Sequence, residues 1–207
     1  MDDTRVDKRI GVALLSKFPL ITCEPVSLHN RNGLKATIEK DGAIFDVFVV
    51  YLDDLSEATR KLEVEALTGY VKPGQPTIVM GDFNALWPRH VPIVKQSVEA
   101  FIRNNPSITQ RPDYSAMCSV FENFYMAEAL PILEANGFKE TSQSMATALT
   151  KLHPLAMPEA CFPVDHILVK NCSALEYQVH KGSLFERASD HYPLSATVEL
   201  TTPPAGT

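Results

Sequence analysis

The sequence predicts an α+β domain in which two β-sheets pack face to face between helices. Segments with the apolar pattern of strands alternate with segments that have the pattern of amphipathic helices, as in layered folds of this class. The chain has 207 residues, a length that usually forms one domain with a core large enough to fold unaided. Hydrophobic residues make up 45% of the chain, which is ordinary for a globular protein. We expect residues 1–200 to form the domain and residues 201–207 to be a flexible tail.

Three strands are predicted near the start of the chain. Gly11–Leu15 is short and apolar, which indicates a buried strand that ends before a proline. Leu34–Glu39 and Phe45–Leu52 are separated by Asp41-Gly42, a strong signal for a tight turn between antiparallel strands. These two strands therefore form a predicted hairpin.

The middle of the chain predicts two helices around another strand. Apolar residues recur at helical spacing over Leu55–Val71, and Ser56 is a suitable N-cap for that helix. A segment rich in proline and glycine then leads into the predicted strand Thr77–Met80. Val94–Arg103 also has a helical pattern, which ends at Asn104-Asn-Pro106.

The last third predicts a helix followed by three strands. Phe124–Asn136 predicts one long helix, which Gly137 ends as a C-terminal cap. Val164–Lys170 and Ala174–Val179 are apolar runs typical of strands. Leu194–Leu200 alternates between apolar and polar residues, so one face of this strand should be buried.

Charge, cysteine content and hydropathy exclude several classes of protein. The net charge of −6 argues against a broad basic surface for nucleic acid, but not against an enzyme that meets nucleic acid through a local basic rim and a metal. Four cysteines show no C-x-x-C pair and favour free thiols in a reducing cytosol. The acidic start Met1-Asp-Asp3 is unlike a signal peptide, and no stretch is long and apolar enough to span a bilayer. We therefore expect a cytoplasmic protein.

Two polar side chains of complementary chemistry lie at the end of the strand that starts at Thr77. Asp82 and Asn84 are two residues apart, so on a strand they point to the same face. A carboxylate can hold a hard metal ion or a water molecule, and an amide can donate to a phosphoryl oxygen. A strand that runs into an ordinary Asp/Asn turn would have the same pattern.

Two further polar clusters stand next to apolar strands later in the chain. Asp165 begins the strand in Phe162–Val169, and Ser189-Asp190-His191 directly precedes the alternating strand near the C-terminus. Acid, amide and imidazole groups at three strand ends of one acidic chain favour a shared catalytic role.

In order and surroundings, these motifs resemble those of the endonuclease/exonuclease/phosphatase superfamily. That superfamily contains metal-dependent phosphoesterases such as DNase I, apurinic endonucleases, sphingomyelinases and inositol polyphosphate phosphatases. The resemblance extends from Arg9 to about Leu200 and rests on Gly81-Asp-Phe-Asn84, on Ser189-Asp-His191, and on Asp165 between them. It implies a DNase I-like α/β/β/α sandwich and hydrolysis of a phosphoester.

Three of the candidate residues would take part in proton transfer. His191 is the natural imidazole for phosphodiester hydrolysis, and Asp165 would fix its tautomer and stabilise the imidazolium. Asp82 would position or deprotonate the attacking water, or share a metal ion.

The other candidates would bind phosphate or metal. Asn84 and Tyr51 would donate hydrogen bonds to the phosphoryl group. Tyr51 stands where many family members have a histidine, and the apurinic-endonuclease branch also uses a tyrosine there. Asp190, with help from Asp82, would coordinate Mg²⁺ or Mn²⁺, because the ligands are hard oxygens.

Other polar residues have competing interpretations. His166 should point to the opposite face of its strand from Asp165, which favours a structural role. His29-Asn-Arg31 is a polar loop that either faces solvent or faces substrate. Trp87, Arg89 and His90 could stack on a base or contact phosphate, and ordinary packing is equally consistent.

The chain differs from the superfamily at its N-terminus. The superfamily begins with a strand that bears a catalytic Asn, followed by a second strand that ends in a metal-binding Glu. Here only Met1–Lys8 precede Arg9, where the resemblance begins. We therefore expect a chain truncated relative to the family. The exposed edge of the strand Leu194–Leu200 should then favour self-association.

Two functions remain open from the sequence. One is a metal-dependent phosphoesterase acting on nucleic acid, a phospholipid headgroup or another phosphoester. The other is a weakly active or non-catalytic homologue that binds phosphate, nucleic acid or a protein partner.

Overall fold

Two sheets and five helices make up the architecture of the part of the chain that the computed structural model describes, which is residues 11–141, 149–150 and 162–200. The strands are β1 (Leu20–Leu28), β2 (Arg31–Lys40), β3 (Ala43–Tyr51), β4 (Thr77–Asp82), β5 (Lys139–Glu140), β6 (Asp165–Lys170), β7 (Ser173–Val179) and β8 (Leu194–Glu199). The helices are α1 (Glu57–Thr68), α2 (Val91–Asn104), α3 (Tyr114–Met126), α4 (Ala129–Ala135) and α5 (Phe185–Ala188). The α+β prediction, with a large sheet and a second sheet flanked by helices, is confirmed.

The large sheet has the strand order β1-β2-β3-β4-β6-β5, and β7 and β8 pair as a separate antiparallel sheet. Within the large sheet β3 and β4 are parallel, whereas β4 and β6 are antiparallel. This register places Tyr51 beside Asp82 and Asp82 beside Asp165. Three polar residues from distant parts of the sequence thus form a row at one end of the sheet.

Alternate residues of the strands pack into different cores. Phe48 and Val50 of β3 point toward α1, where they pack with Val64 and Leu67. The main core on this side contains Val26, Leu28, Phe48, Val50, Leu52, Val64, Leu67, Val79, Phe83, Ala85, Trp87, Ala129, Leu130, Leu133, Phe138 and Leu168. Phe45 and Val47, at odd-numbered positions of β3, belong to the opposite face. Leu200, directly after β8, packs against that opposite face.

Several predicted elements are confirmed with small changes at their ends. The hairpin forms between β2 and β3, and its turn residues Asp41 and Gly42 have φ values of 52° and 81°. Ser56 caps α1 by accepting a hydrogen bond from the Thr59 N–H at 3.2 Å. Side-chain exposure in β8 alternates, as predicted for Leu194–Leu200, but its apolar face is only half-buried. Among the described strands β8 pairs only with β7, so its other edge has no strand beside it.

The predicted strand Gly11–Leu15 is wrong. These residues have no strand conformation, and the Leu15 side chain is 97% exposed. A strand needs a neighbour for its ladder of hydrogen bonds, and no strand in the described residues pairs with this segment. The strand that does form, β1, was not predicted; it contains Pro25, which is tolerated because β1 is an edge strand.

The predicted single helix over Phe124–Asn136 is also wrong. The structure has two helices, α3 and α4, and the chain turns between them at Ala127, whose φ is 49°. The break exposes the Glu128 and Ala129 N–H groups, which donate to the buried Glu57 carboxylate at 2.6 and 2.7 Å. A long-range contact therefore overrides a continuous helical pattern.

The C-terminal end of that predicted helix is confirmed. Gly137 has a φ of 84°, and its N–H donates to the Glu134 carbonyl at 2.9 Å. The Phe138 N–H donates to the Leu133 carbonyl at 3.0 Å, which completes a Schellman motif. This ending directs the chain into β5.

Other predictions concern the termini, the thiols and membranes. The predicted tail at 201–207 and the N-terminal segment Met1–Lys8 lie outside the described residues. Cys23, Cys118 and Cys172 are free thiols, and Cys161 is outside the described part. No helix in the described part is long and apolar enough to cross a membrane.

Candidate active site

An open cavity of about 380 Å³ lies where the polar row of the large sheet meets the loop before β8. Its lining consists of Tyr51, Asp54, Asp82, Asn84, Asp165, Asp190 and His191. All six residues that the sequence motifs single out as catalytic or metal-binding are in this lining. Asp54 is the one lining residue that the motifs did not identify.

His191 and Asp165 form the closest polar pair of the cavity. The His191 Nδ1 atom lies 2.7 Å from Asp165 Oδ2, within normal hydrogen-bond distance. Burial alone would lower the pKa of His191, but the hydrogen bond to Asp165 and the charges of Asp165, Asp82 and Asp190 raise it to about 9. The imidazole is therefore a cation at neutral pH, with its Nδ1 edge toward Asp165.

The loop that carries His191 is fixed by main-chain hydrogen bonds. The His191 N–H donates to Ser189 Oγ at 3.2 Å, and the Thr150 N–H donates to the Asp190 carbonyl at 2.8 Å. Thr150 Oγ1 donates to the Ser189 carbonyl at 2.7 Å. These contacts hold the Ser-Asp-His loop, and the hydrogen bond between His191 and Asp165 joins it to β6.

Asp82 is more buried than Asp54 and Asp190, the two exposed carboxylates of the cavity. Burial raises the pKa of Asp82 to about 7, and the negative charge of Asp165 acts in the same direction. The cationic His191 and a hydrogen bond from the Asn84 N–H, at 2.9 Å, oppose this increase. Asp82 is thus able to exchange a proton near neutral pH.

Asn84 adopts a left-handed backbone conformation that the surrounding structure stabilises. Its φ is 46°, and its side-chain amide donates to the Leu52 carbonyl at 3.0 Å. Asparagine is among the residues that tolerate this conformation best. The hydrogen bond to Leu52 holds the side chain at the end of β4, and only 9% of the residue is exposed.

His166 supports the same turn from the opposite face of the sheet. Its Nε2 atom lies 3.0 Å from the Ala85 carbonyl, and its Nδ1 atom lies 2.8 Å from Glu140 Oε1. Arg89 forms an ion pair with the other oxygen of Glu140 and stacks over the Trp87 ring. Because this histidine is buried away from the cavity, its contacts agree with a structural role.

The residues that follow the Gly-Asp-x-Asn motif belong to the core. Trp87 is 1% exposed and His90 is 6% exposed. Neither residue is in the lining of the cavity, and Trp87 has no free face on which a base could stack. The packing interpretation of this segment is therefore the one that the structure supports.

Tyr51 and Asp54 line one side of the cavity, and Arg31 packs against both of them. Arg31 Nη2 lies 2.7 Å from Asp54 Oδ1, and the Arg31 guanidinium carbon lies 4.8 Å from the centre of the Tyr51 ring. Burial, together with the charges of Asp54 and Asp82, raises the pKa of the Tyr51 hydroxyl, which therefore keeps its proton. No local motif in the sequence indicates the contact between Arg31 and Asp54, because 23 residues separate them.

The carboxylates of the cavity suit a hard divalent cation. Ligand atoms of Asp82, Asp165 and His191 lie within 4.8 Å of one another, and Asp190 lines the same cavity from an exposed position. Carboxylate oxygens are the donors that Mg²⁺ and Mn²⁺ prefer. The expected role of Asp190 as the main ligand stays a prediction, since Asp190 is outside this closest group.

Comparison with known proteins identifies one family. The sequence profile of the endonuclease/exonuclease/phosphatase family matches residues 3–191. A comparison with curated protein sequences finds no significant match.

Solved structures with the same fold come from several microorganisms. An endonuclease/exonuclease/phosphatase from Bacteroides vulgatus is 15% identical, with a TM-score of 0.61 over 89% of this chain and 67% of its own. The mannosyl-6-phosphatase Bt3783 of Bacteroides thetaiotaomicron is 14% identical, with a TM-score of 0.54 over 87% and 67%. An AP endonuclease from Archaeoglobus fulgidus is 19% identical, with a TM-score of 0.54 over 84% and 71%. The chain spans 67%, 66% and 48% of three further matched structures.

Proposed function

Because the chain belongs to the endonuclease/exonuclease/phosphatase family, we propose that it is a metal-dependent phosphoester hydrolase. The observation that carries this proposal is the hydrogen-bonded pair of His191 and Asp165, which faces Asp82 across one cavity. A paired imidazole and carboxylate next to a second, proton-exchanging carboxylate is an arrangement suited to acid–base catalysis.

His191 would stabilise negative charge and transfer a proton. Asp165 accepts the Nδ1–H, and the Nε2–H would donate to the phosphoryl group or its leaving oxygen. A pKa of about 9 keeps this proton in place at neutral pH. Asp82, with its pKa raised to about 7 by burial, would position the attacking water and accept its proton.

Asn84 and Tyr51 would bind and orient the phosphoryl group. The Asn84 side chain is already oriented by its bond to Leu52, so little conformational freedom is lost when a phosphate binds. The Tyr51 hydroxyl lines the same cavity and keeps its proton, so it can donate a hydrogen bond to a phosphoryl oxygen. Donors fixed in advance stabilise the charge that develops in the transition state.

Asp82, Asp165 and Asp190 would hold a divalent cation. When bound, such an ion neutralises charge on the phosphoryl oxygens and makes a water molecule more acidic. Mg²⁺ is the expected ion, and Mn²⁺ should substitute for it because both prefer oxygen ligands.

The substrate is proposed at the level of its chemical class. One structural relative is named a mannosyl-6-phosphatase and another an AP endonuclease. Both names describe the cleavage of a phosphoester, on a sugar in the first case and in nucleic acid in the second. We propose a phosphoester substrate for this chain, with nucleic acid and small phosphorylated molecules as the candidates.

The test is hydrolysis of bis(p-nitrophenyl) phosphate and p-nitrophenyl phosphate by the purified chain with Mg²⁺, Mn²⁺ or EDTA. We expect turnover that depends on the metal ion. His191→Ala and Asp165→Asn should each lower kcat by about a hundredfold or more, with a smaller change in KM. His180→Ala is the matched control, because His180 is hydrogen-bonded to Ser195 and does not line the cavity.

Two outcomes would contradict the proposal. Hydrolysis that is unaffected by EDTA would remove the metal ion from the mechanism, and an unchanged rate in His191→Ala would remove the histidine. Binding of phosphate esters without any turnover would instead favour the alternative function, a phosphate-binding homologue that does not catalyse.

A further inference from the structure

Arg31 places a positive charge at the rim of an otherwise acidic cavity. Within the described residues the lining includes four aspartates and no Lys or Arg. Arg31 contacts two lining residues, with an ion pair to Asp54 and its guanidinium over the Tyr51 ring. A phosphorylated substrate that enters this cavity therefore passes close to the guanidinium.

The position of Arg31 is set by a rigid part of the fold. It is the first residue of β2 and pairs with Leu28 across a two-residue turn, in which His29 has a φ of 60°. Two residues further on, a Cβ on Gly33 would lie 3.1 Å from Leu28, from Val26 and from the Val49 carbonyl. The hairpin is thus packed too closely against its neighbours for the backbone at Arg31 to shift easily.

The side chain of Arg31 is held in one orientation, but only part of its hydrogen-bonding capacity is used. Asp54 engages Nη2, and the other guanidinium nitrogens of Arg31 have no hydrogen-bond partner among the described residues. The Arg31 side chain is 28% exposed. Guanidinium groups bind phosphate through two parallel N–H donors, and stacking on a ring reduces the entropy lost when they do so.

A purely stabilising role accounts poorly for this arrangement. The side chain of Asp54 is 49% exposed, and an exposed ion pair contributes little to stability. The same pair, however, presents unused donors beside Tyr51, a residue that lines the cavity. The geometry therefore suits recognition of an anion better than it suits support of the fold.

We propose that Arg31, held by Asp54, forms a subsite for a second phosphate group of the substrate, next to the phosphoester that is cleaved. This inference rests on the proposed hydrolysis of phosphoesters and narrows its substrate class to molecules with at least two phosphates. Asp54 keeps the guanidinium at the rim, while the free nitrogens of Arg31 donate to the second phosphate. The second phosphate belongs either to a nucleic-acid backbone or to a small phosphorylated molecule.

The experiment compares substrates that differ only by the second phosphate. For nucleic acid, the pair is the dinucleotide TpT and its 5′-phosphorylated form pTpT. For small molecules, the pair is glucose 1-phosphate and glucose 1,6-bisphosphate. We expect the wild-type chain to have the higher kcat/KM for the doubly phosphorylated member of the pair that resembles its substrate. The ratio of the two kcat/KM values measures this preference.

Arg31→Ala should lower this preference by about tenfold, because the second phosphate loses its charge-assisted hydrogen bonds; tenfold corresponds to about 1.4 kcal/mol. Arg31→Lys should restore part of it, since lysine keeps the charge without the planar fork. Arg111→Ala is the matched control, because Arg111 also forms an exposed ion pair with an aspartate, Asp113, and contacts none of the lining residues. This control should keep the full preference.

The result for each pair has a defined meaning. If Arg31→Ala reduces the preference only for pTpT over TpT, the second phosphate belongs to a nucleic-acid backbone. If it reduces the preference only for glucose 1,6-bisphosphate over glucose 1-phosphate, the second phosphate belongs to a small molecule. An unchanged preference in both pairs, or equal losses for both members of each pair, would overturn the subsite.

Failure of the proposed function can be distinguished from failure of the subsite. Calorimetric titration of pTpT and glucose 1,6-bisphosphate into His191→Ala, with and without Arg31→Ala, measures binding in the absence of turnover. If no substrate is hydrolysed but Arg31→Ala still weakens binding of one ligand by about tenfold, the subsite stands without the hydrolase. Equal affinities of the two proteins would reject it.

Discussion

Gly81 is the single residue whose side-chain size most tightly constrains the site. Its φ is 141°, and a Cβ there would lie 2.0 Å from the Val50 carbonyl oxygen on the neighbouring strand. The next residue is Asp82, so any shift of β4 at this point moves a cavity carboxylate. The close approach of two strands thus depends on the absence of a side chain.

We predict that Gly81→Ala lowers the free energy of unfolding by about 3 kcal/mol or more, because the strands must separate to remove the overlap. Urea denaturation measures the change. Gly42→Ala is the matched control: its φ is 81° but nothing lies within 4 Å of the added Cβ. Only backbone strain of about 1–2 kcal/mol is expected there. Equal effects of the two substitutions would show that the close approach is unimportant.

Glu63 is a buried carboxylic acid beneath the loop that carries Asp54. Its Oε2 accepts a hydrogen bond from the Asp53 N–H at 2.8 Å, while its Oε1 has no partner among the described residues. Burial raises the pKa of Glu63 from 4.5 to about 7; the charge of Asp53 adds to this, and the charges of Arg31 and Arg60 oppose it. The folded protein therefore binds this proton more tightly than the unfolded chain does.

We predict that this group makes the protein less stable as the pH rises from about 4.5 to 7, because the folded state holds a proton that the unfolded state has released. Glu63→Gln cannot titrate, so its stability relative to wild type should increase over this range, by up to about 3 kcal/mol. Urea denaturation at several pH values measures the difference. A constant difference between the two proteins across the range would contradict the raised pKa.

At the scale of elements, a buried ion pair joins α1 to α4 and to the site. Arg60 Nε lies 2.6 Å from Glu57 Oε2, and both side chains are almost fully buried. Arg60 Nη1 also donates to the Asp53 carbonyl at 2.9 Å, whereas Glu57 holds the N–H groups at the start of α4. One pair on α1 thus positions both the break between α3 and α4 and the loop beside the cavity.

We predict that Arg60→Ala lowers the free energy of unfolding by about 3–5 kcal/mol, because it leaves the Glu57 carboxylate buried without its charged partner. Lys61→Ala is the neighbouring control. Lys61 forms an ion pair with Glu128, but it is exposed, so only a small loss of stability is expected. Denaturant unfolding of both variants gives the comparison, and similar losses would argue against a structural role for the buried pair.

At the scale of the whole molecule, the acidic cavity should link metal binding to stability. Carboxylates from three separate segments, Asp82, Asp165 and Asp190, meet only in the folded protein. A divalent ion should therefore bind the native state in preference to the unfolded chain. At a concentration one hundred times the Kd this linkage contributes about 2.7 kcal/mol.

We predict that Mg²⁺ or Mn²⁺ raises the Tm of the chain by several degrees, since about 1 kcal/mol corresponds to roughly 2–4 °C for a domain of this size. EDTA should reverse the increase. Asp82→Asn combined with Asp190→Asn should remove it, whereas Asp113→Asn, on an exposed aspartate outside the cavity, should retain it. An equal increase in the variant that lacks the two cavity aspartates would place the ion elsewhere.

Features that depend on a few neighbouring residues were predictable from the sequence. The Asp41-Gly42 turn, the Ser56 cap and the Gly137 helix end all appear as predicted, because each is determined by local backbone preferences. The motifs around Asp82 and His191 were likewise recognised from residue types and their spacing. For the same reason the sequence alone identified the family, since these motifs are local.

Features that depend on contacts between distant segments were decided only by the tertiary structure. The break at Ala127 follows from Glu57, about 70 residues away, and no local signal marks it. The meeting of Asp82, Asp165 and His191 depends on strand register, and the raised pKa of Asp82 depends on burial. Arg31 reaches Asp54 only because two strands bring their ends together. Sequence patterns report the preferences of short segments, whereas register, burial and charge proximity arise when those segments pack.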